Sequence, residues 1–248
     1  MSRTLRIGCG AGFWGDSPEG PAQLVRSGGI DFLMLDYLAE ITMSILARMK
    51  ARKPELGYAT DFVTMVMAPL AREIADRRIR VITNAGGVNP DACRDALAAV
   101  LAEAGVDLNI AVVRGDDLAD RIGALRAADV REMYSGARLP DSIVSANAYL
   151  GAFPIAVALD EGADIVITGR CVDSALALGP LIHAFGWTPA DLDQLAGGSL
   201  AGHVLECGTQ ATGGIFTDWR KVDGWDRMGF PIAECFEDGS FEVTKPDG

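Results

Sequence analysis

With 248 residues, 49% of them hydrophobic, the chain has material for one large domain, or one domain with a smaller appendage. Its 22 basic and 34 acidic residues give a net charge of −12, without the lysine/arginine stripe that neutralises nucleic-acid phosphates. Five cysteines with no Cys-x-x-Cys pair argue against a disulfide scaffold or a structural zinc site. No basic leader and no membrane-length apolar run is present, so a reduced, cytoplasmic protein is expected.

In chain order, apolar strand-like runs stop six times in glycine and small polar residues. Residues 5–9 enter Gly10-Ala11-Gly12-Phe13-Trp14-Gly15-Asp16, and a helix follows from Ser17-Pro18 to Gly28-Gly29. Residues 32–35 enter Asp36-Tyr37-Leu38-Ala39-Glu40, and a second helix runs from Tyr37 to about Lys53, closed by Pro54. A third spans 61–78, with a kink or break predicted at Pro69. The basic cluster of Arg72, Arg77, Arg78 and Arg80 straddles its end, where cations suit the helix dipole. Residues 79–82 enter Thr83-Asn84-Ala85-Gly86-Gly87-Val88-Asn89-Pro90. There Asn89 reads as an N-cap and Pro90 as the first position of a helix ending at Gly105.

Residues 109–113 enter Arg114-Gly115-Asp116-Asp117, followed by short helical pieces and a loop up to Asp141. Ile143-Val144 enters Ser145-Ala146-Asn147-Ala148-Tyr149-Leu150-Gly151 before a helix over 154–161. Residues 164–167 enter Thr168-Gly169-Arg170-Cys171-Val172-Asp173-Ser174 before one ending at Phe185-Gly186. A helix restarts near Asp191, a helical stretch carries His203, Glu206 and Cys207, and edge strands or loops follow Gly213-Gly214. Continuous apolar runs alternating with helices predict an α/β fold. Its sheet should be doubly wound and mostly parallel, with Rossmann-like layers and an irregular C-terminal portion. Residues 1–190 read as the ligand-binding α/β domain, and 191–248 as a helical and irregular extension of it. The ending after the strand-like 241–244 reads as a truncated piece of a longer chain.

Ligands of open α/β sheets bind beyond the carboxyl ends of the strands, so the junctions are where chemistry is expected. Gly10, Gly12 and Gly15 spell Gly-x-Gly-x-x-Gly, and Asp36 follows about 20 residues on, as in a dinucleotide fingerprint. Bulky Phe13 and Trp14 and the late helix start weaken an NAD(P) reading; a tight turn of a non-nucleotide fold is the alternative. Asn84, Gly86, Gly87 and Asn89 precede a helix, which suits an anion, although Asn89 can be only a cap and the glycines only a turn. Arg170 can clamp a carboxylate or phosphate. Asp36 and Glu40 share a face at a strand end and, with Asp173, are the carboxylates placed for general acid/base work; capping competes for Asp36 and Asp173. Cys171 is a nucleophile or a small buried hydrophobe. His183 reads as structural, whereas His203, Glu206 and Cys207 form either a ligand or acid/base trio or an ordinary helix face.

Taken together, the runs at 10–16, 36–40, 83–90, 145–151 (with Asn147) and 167–170 with Asp173 resemble the acyclic terpene utilisation family AtuA, as do Leu205-Glu206-Cys207-Gly208 and Thr212-Gly213-Gly214. The resemblance covers nearly the whole chain in order. It implies a cytoplasmic catabolic protein handling branched acyclic acids or their coenzyme A thioesters, in a family whose members usually continue past position 248. It carries no catalytic role onto any residue. The expected reaction is proton abstraction or addition/elimination next to a carbonyl. Asp36, Glu40 or Asp173 would move the proton, while Gly10, Gly12, Asn84, Gly86, Gly87, Asn89, Asn147 and Arg170 hold substrate. No metal is assigned, and coenzyme A enters only as part of the substrate. The alternatives are an NAD(P)-dependent oxidoreductase and a non-catalytic subunit of a catabolic complex. The expected partner is a small molecule, with a homo-oligomer or a partner subunit also consistent with the sequence.

Overall fold

Alternate residues of each central strand are claimed by opposite cores, and that alternation builds the layers. Leu33, Leu35, Val81, Ile165 and Ile167 join one apolar cluster, while Phe32, Met34, Ile82 and Val166 join the other. The computed structural model describes residues 3–27 and 29–246. Its strands are β1 Thr4–Ala11, β2 Phe32–Leu35, β3 Arg80–Thr83, β4 Ile110–Val113, β5 Ile165–Thr168, β6 Ile232–Phe236 and β7 Phe241–Thr244. They form one 7-stranded sheet in the order β4-β5-β3-β2-β1-β6-β7. The β1–β2, β2–β3, β3–β5 and β4–β5 pairs are parallel, and β6 runs antiparallel to both β1 and β7.

One face is covered by α1 Glu19–Ser27, α2 Glu40–Arg52, α3 Ala68–Arg77 and α4 Pro90–Ala104. The other carries α6 Phe153–Asp160, α7 Ala175–Phe185 and α8 Leu192–Leu205, with the short α5 Ile122–Ala127 outside both cores. This is the doubly wound α/β arrangement expected from the alternation. The C-terminal part shares the sheet through β6, and between α8 and β6 it is mostly short 3₁₀ turns and irregular chain.

Three local expectations change. Ile143-Val144 is no strand: it lies in an irregular excursion in which no residue from 117 to 151 is buried, so no core face pulls it into the sheet. The helix over 61–77 does not break at Pro69; Phe62–Met67 is a π-helical segment, with Ala68 N–H bonded to the Val63 carbonyl. Pro69 then falls in the first turn of α3, where a missing N–H costs little. The Asn89 side chain makes no cap bond; its Nδ2 instead donates to the Pro54 and Leu56 carbonyls, both at 2.8 Å, and fastens the loop after α2. Gly28 and residues 247–248, part of the expected first helix end and chain ending, lie outside the described residues.

Candidate functional site

The chain leaves β3 for α4 on one face and leaves its neighbour β5 for α7 on the other. Adjacent strands whose exits part in this way open a crevice between them, the topological switch point of an α/β sheet. Register then sets who meets there. Leu35 pairs with Thr83 and Thr83 with Ile167, so Asp36, Asn84 and the segment 168–173 emerge together.

Asp36 is 4% exposed and Asn84 fully buried. Asn84 Nδ2 donates to Asp36 Oδ1 at 2.6 Å, the Leu38 amide donates to the same oxygen at 3.2 Å, and Asn84 Oδ1 accepts from the Tyr37 amide at 2.8 Å. Asn84 is therefore a carboxyl partner, a role the loop's glycines had obscured. Arg170, 3% exposed, donates from Nη1 to Asp173 Oδ1 at 2.5 Å and to the Leu38 carbonyl at 3.2 Å. Its Nη2 donates to Glu40 Oε1 at 3.3 Å and to the Tyr149 hydroxyl at 3.2 Å, and the guanidinium lies 4.3 Å from the Tyr149 ring centroid. The Tyr149 hydroxyl donates to Glu40 Oε1 at 2.6 Å. Below, Asp116 Oδ2 accepts from the Arg170 amide at 2.8 Å and from Asn147 Nδ2 at 2.9 Å. Gly169 makes room for that carboxylate, since a side chain there would collide with it.

Glu206, at the end of α8, completes the cluster. One carboxylate oxygen from each of Asp36, Asp173 and Glu206 lies within 4.8 Å of the others. Three anions this close do not all ionise freely. Burial, then the Asp173 charge, pushes Asp36 up to about 7. The same two causes, in the same order, raise Glu206. Burial raises Asp116, against the bonds from the Arg170 amide and Asn147. Glu40, on the exposed rim, is held below the usual carboxylate range by the Tyr149 hydroxyl, then by Arg170. Burial opposes the Arg170 charge, but Tyr149 and Asp173 outweigh it and hold the guanidinium firmly protonated.

The three carboxylates are also the grouping among the described residues that could hold a cation. Arg170, hydrogen-bonded to Asp173, already supplies positive charge there. The structure thus brings Asp36, Glu40, Asn84, Arg170 and Asp173 together, with Asn147 one hydrogen bond away through Asp116. Tyr149 and Asp116 were not singled out from sequence; both lie inside runs that were, but nothing in their spacing gives them a role.

The other residues singled out lie around this cluster or apart from it. Gly87 and Asn89 amides donate to the Asn84 and Gly86 carbonyls and close the loop on itself, while the Val88 amide donates to the Gly57 carbonyl and ties the loop to the segment after α2. A side chain on Gly86 would stand 2.5 Å from the Thr168 carbonyl oxygen, and Gly87 has φ 54°. Gly10 packs on the Pro21 backbone, and a side chain on Gly12 would stand 2.6 Å from the Cys207 carbonyl carbon. The Cys207 backbone therefore lies against the turn that a pyrophosphate would need, and α1 starts only at Glu19. Cys171 is fully buried and its thiol is pushed up to about 12, chiefly by burial. His183 bridges Arg80 Nη1 at 2.8 Å and Asp160 Oδ1 at 2.5 Å, away from the crevice. His203 and Glu206 pair at 2.9 Å, while Cys207 lies past the end of α8.

A cleft of about 270 Å³ opens between α2 and the loops after β4, lined by Ala47, Lys50, Val88, Asp117, Val144 and Asn147, and it meets the site through Asn147, the partner of Asp116. No helix among the described residues is long and apolar enough to cross a membrane. Comparison with curated proteins finds no match, and comparison with solved structures finds none either. The model of the acyclic terpene utilisation family protein AtuA matches residues 5–248, and the chain belongs to that family, with the role in acyclic terpene utilisation that membership implies.

Proposed function

We propose that the protein is a cytoplasmic catabolic enzyme that removes or adds a proton next to the carbonyl of a branched acid or its coenzyme A thioester. The observation that carries this reading is Asp36: a buried carboxyl shifted to about 7, within 4.8 Å of two other carboxylates and close to a buried arginine. A carboxyl tuned near neutrality is suited to take a proton from carbon and return it. Arg170 supplies the cation beside which an enolate oxygen would be stabilised, and Tyr149, its hydroxyl donating to Glu40 and its ring against the guanidinium, holds that cation in place. Asn84 and Asn147 position the carboxyls of Asp36 and Asp116, Asp173 orients Arg170, and Glu40 orients Tyr149. In this reading Gly10, Gly12, Gly86, Gly87 and Asn89 shape the loops around the substrate. The adjoining cleft, with Ala47, Val88 and Val144 on its walls, suits the apolar part of the substrate.

Incubating the protein in deuterated water with 3-methylbutanoyl-coenzyme A as probe should place deuterium on the carbon next to the carbonyl, read by mass spectrometry. Wild-type protein should incorporate the label, and Asp36→Asn should abolish incorporation. Equal incorporation by both would remove Asp36 from the chemistry.

A second reading, a subunit whose partner completes the reaction, draws on the excursion 117–151, which buries no residue yet leaves Met133 82% and Tyr134 88% exposed. Label incorporation that appears only on adding a partner protein would favour it.

A further inference from the structure

We propose that His203 and Glu206 form the route by which protons pass between bulk water and the buried Asp36. The inference rests on Asp36 being the base of the proposed reaction and adds the path its proton takes. A carboxyl that is 4% exposed and already bonded to Asn84 and Leu38 cannot exchange its proton freely with solvent. A turnover that leaves the proton off carbon, or exchanges it for one from water, must nevertheless discharge it.

The elements around Asp36 offer few exits. From β1 comes Cys9, fully buried and raised chiefly by burial, so it stays a thiol. Beyond β5 lie Cys171, equally buried, and Arg170, held protonated, with Asp173 committed to Arg170. From β3 comes Asn84, which does not titrate. Past the end of α8 lies Cys207, a thiol that burial raises, and Glu206 is the carboxyl that remains, raised by burial as well. Its side chain is 15% exposed, its Oε1 lies 2.9 Å from His203 Nδ1, and His203 is 74% exposed. Burial thus falls stepwise from Asp36 to Glu206 to His203. The oxygens of Asp36 and Glu206 lie within 4.8 Å, a gap that one water molecule spans with two hydrogen bonds. Imidazole is the side chain suited to trade protons between a carboxyl and water near neutral pH.

The step balances as follows. The C–H bond of the substrate breaks and an O–H bond forms on Asp36, while the electron pair moves to the carbonyl oxygen. The proton then passes to Glu206, from Glu206 to His203, and from His203 to water. Reprotonation of carbon runs the same route backwards.

His203→Gln tests this in the deuterium-incorporation assay with the 3-methylbutanoyl thioester, run at low buffer concentration. The exposed position makes folding of the variant straightforward, and thermal unfolding checks it. Incorporation should fall about tenfold or more with unchanged KM, and added imidazole should restore it. A His203→Gln rate equal to wild type, or a loss that imidazole leaves untouched, overturns the route alone. Wild-type protein that incorporates no label overturns the base and its route together.

Discussion

Asp36→Asn keeps an acceptor oxygen for Asn84 Nδ2 and the Leu38 amide but removes the ability to ionise. In the wild type, burial keeps Asp36 protonated up to about 7 in the folded chain, against 3.8 when exposed. Between those values the folded state binds the extra proton. Stability is therefore highest below the lower value, falls as pH rises through the window and levels off above it. Across the whole window that amounts to about 4 kcal/mol. The asparagine variant lacks this slope. Relative to wild type it should gain about 3 kcal/mol between about pH 4.5 and about pH 8, while losing label incorporation at every pH. Urea unfolding followed by circular dichroism at the two pH values measures it, with the m-value checked for constancy. Arg170, Asp173 and Glu206 face the same carboxyl in both proteins, so the difference between the two curves reports what ionisation at position 36 adds. Parallel stability curves, with the gap unchanged to within about 1 kcal/mol, would refute the claim that this carboxyl is held neutral by its surroundings.

Arg170→Ala removes the cation that Asp173 and Glu40 share and the donor to the Leu38 carbonyl, so the urea midpoint should fall by the equivalent of about 3–5 kcal/mol. Arg170→Lys restores the charge but not the planar fork, and should recover only part of the loss. Gly12→Ala places a methyl group 2.6 Å from the Cys207 carbonyl carbon, which is backbone and cannot swing aside. A loss of about 1–3 kcal/mol by thermal unfolding is expected, and an unchanged Tm would show that the turn and the end of α8 are not in contact.

Much of the sheet was legible because buried parallel strands leave short apolar runs, and residues 5–9, 32–35, 79–82, 109–113 and 164–167 all lie in or against strands. Ile143-Val144 misled because two β-branched residues before a polar run look alike whether or not a core waits for them. Asp36, Glu40, Arg170 and Asp173 were readable as polar residues at strand ends. The grouping of Asp36, Asp173 and Glu206 was not, because these carboxylates come from three distant stretches joined only by strand order and the course of α8. Asn84 shows the limit from the other side: its loop spells an anion cradle, yet its side-chain amide is spent on Asp36 and the Gly87 and Asn89 N–H groups on the loop itself.

Strand order also decides between the two glycine-rich junctions. The run at 10–15 has the spelling of a nucleotide turn, but β1 sends its helix to the same face as its neighbour β2, and its other neighbour β6 is antiparallel. No crevice forms between strands whose exits agree, and the Cys207 backbone packs on Gly12 instead. The exits part between β3 and β5, and the buried arginine and carboxyls sit at that point. Stability alone does not explain them there, since apolar residues packed in place of a buried ion pair are often neutral or better. A fold that keeps a buried carboxyl near neutrality, faces it with two more and encloses a guanidinium beside them bears a cost that the proposed proton transfer accounts for and packing does not.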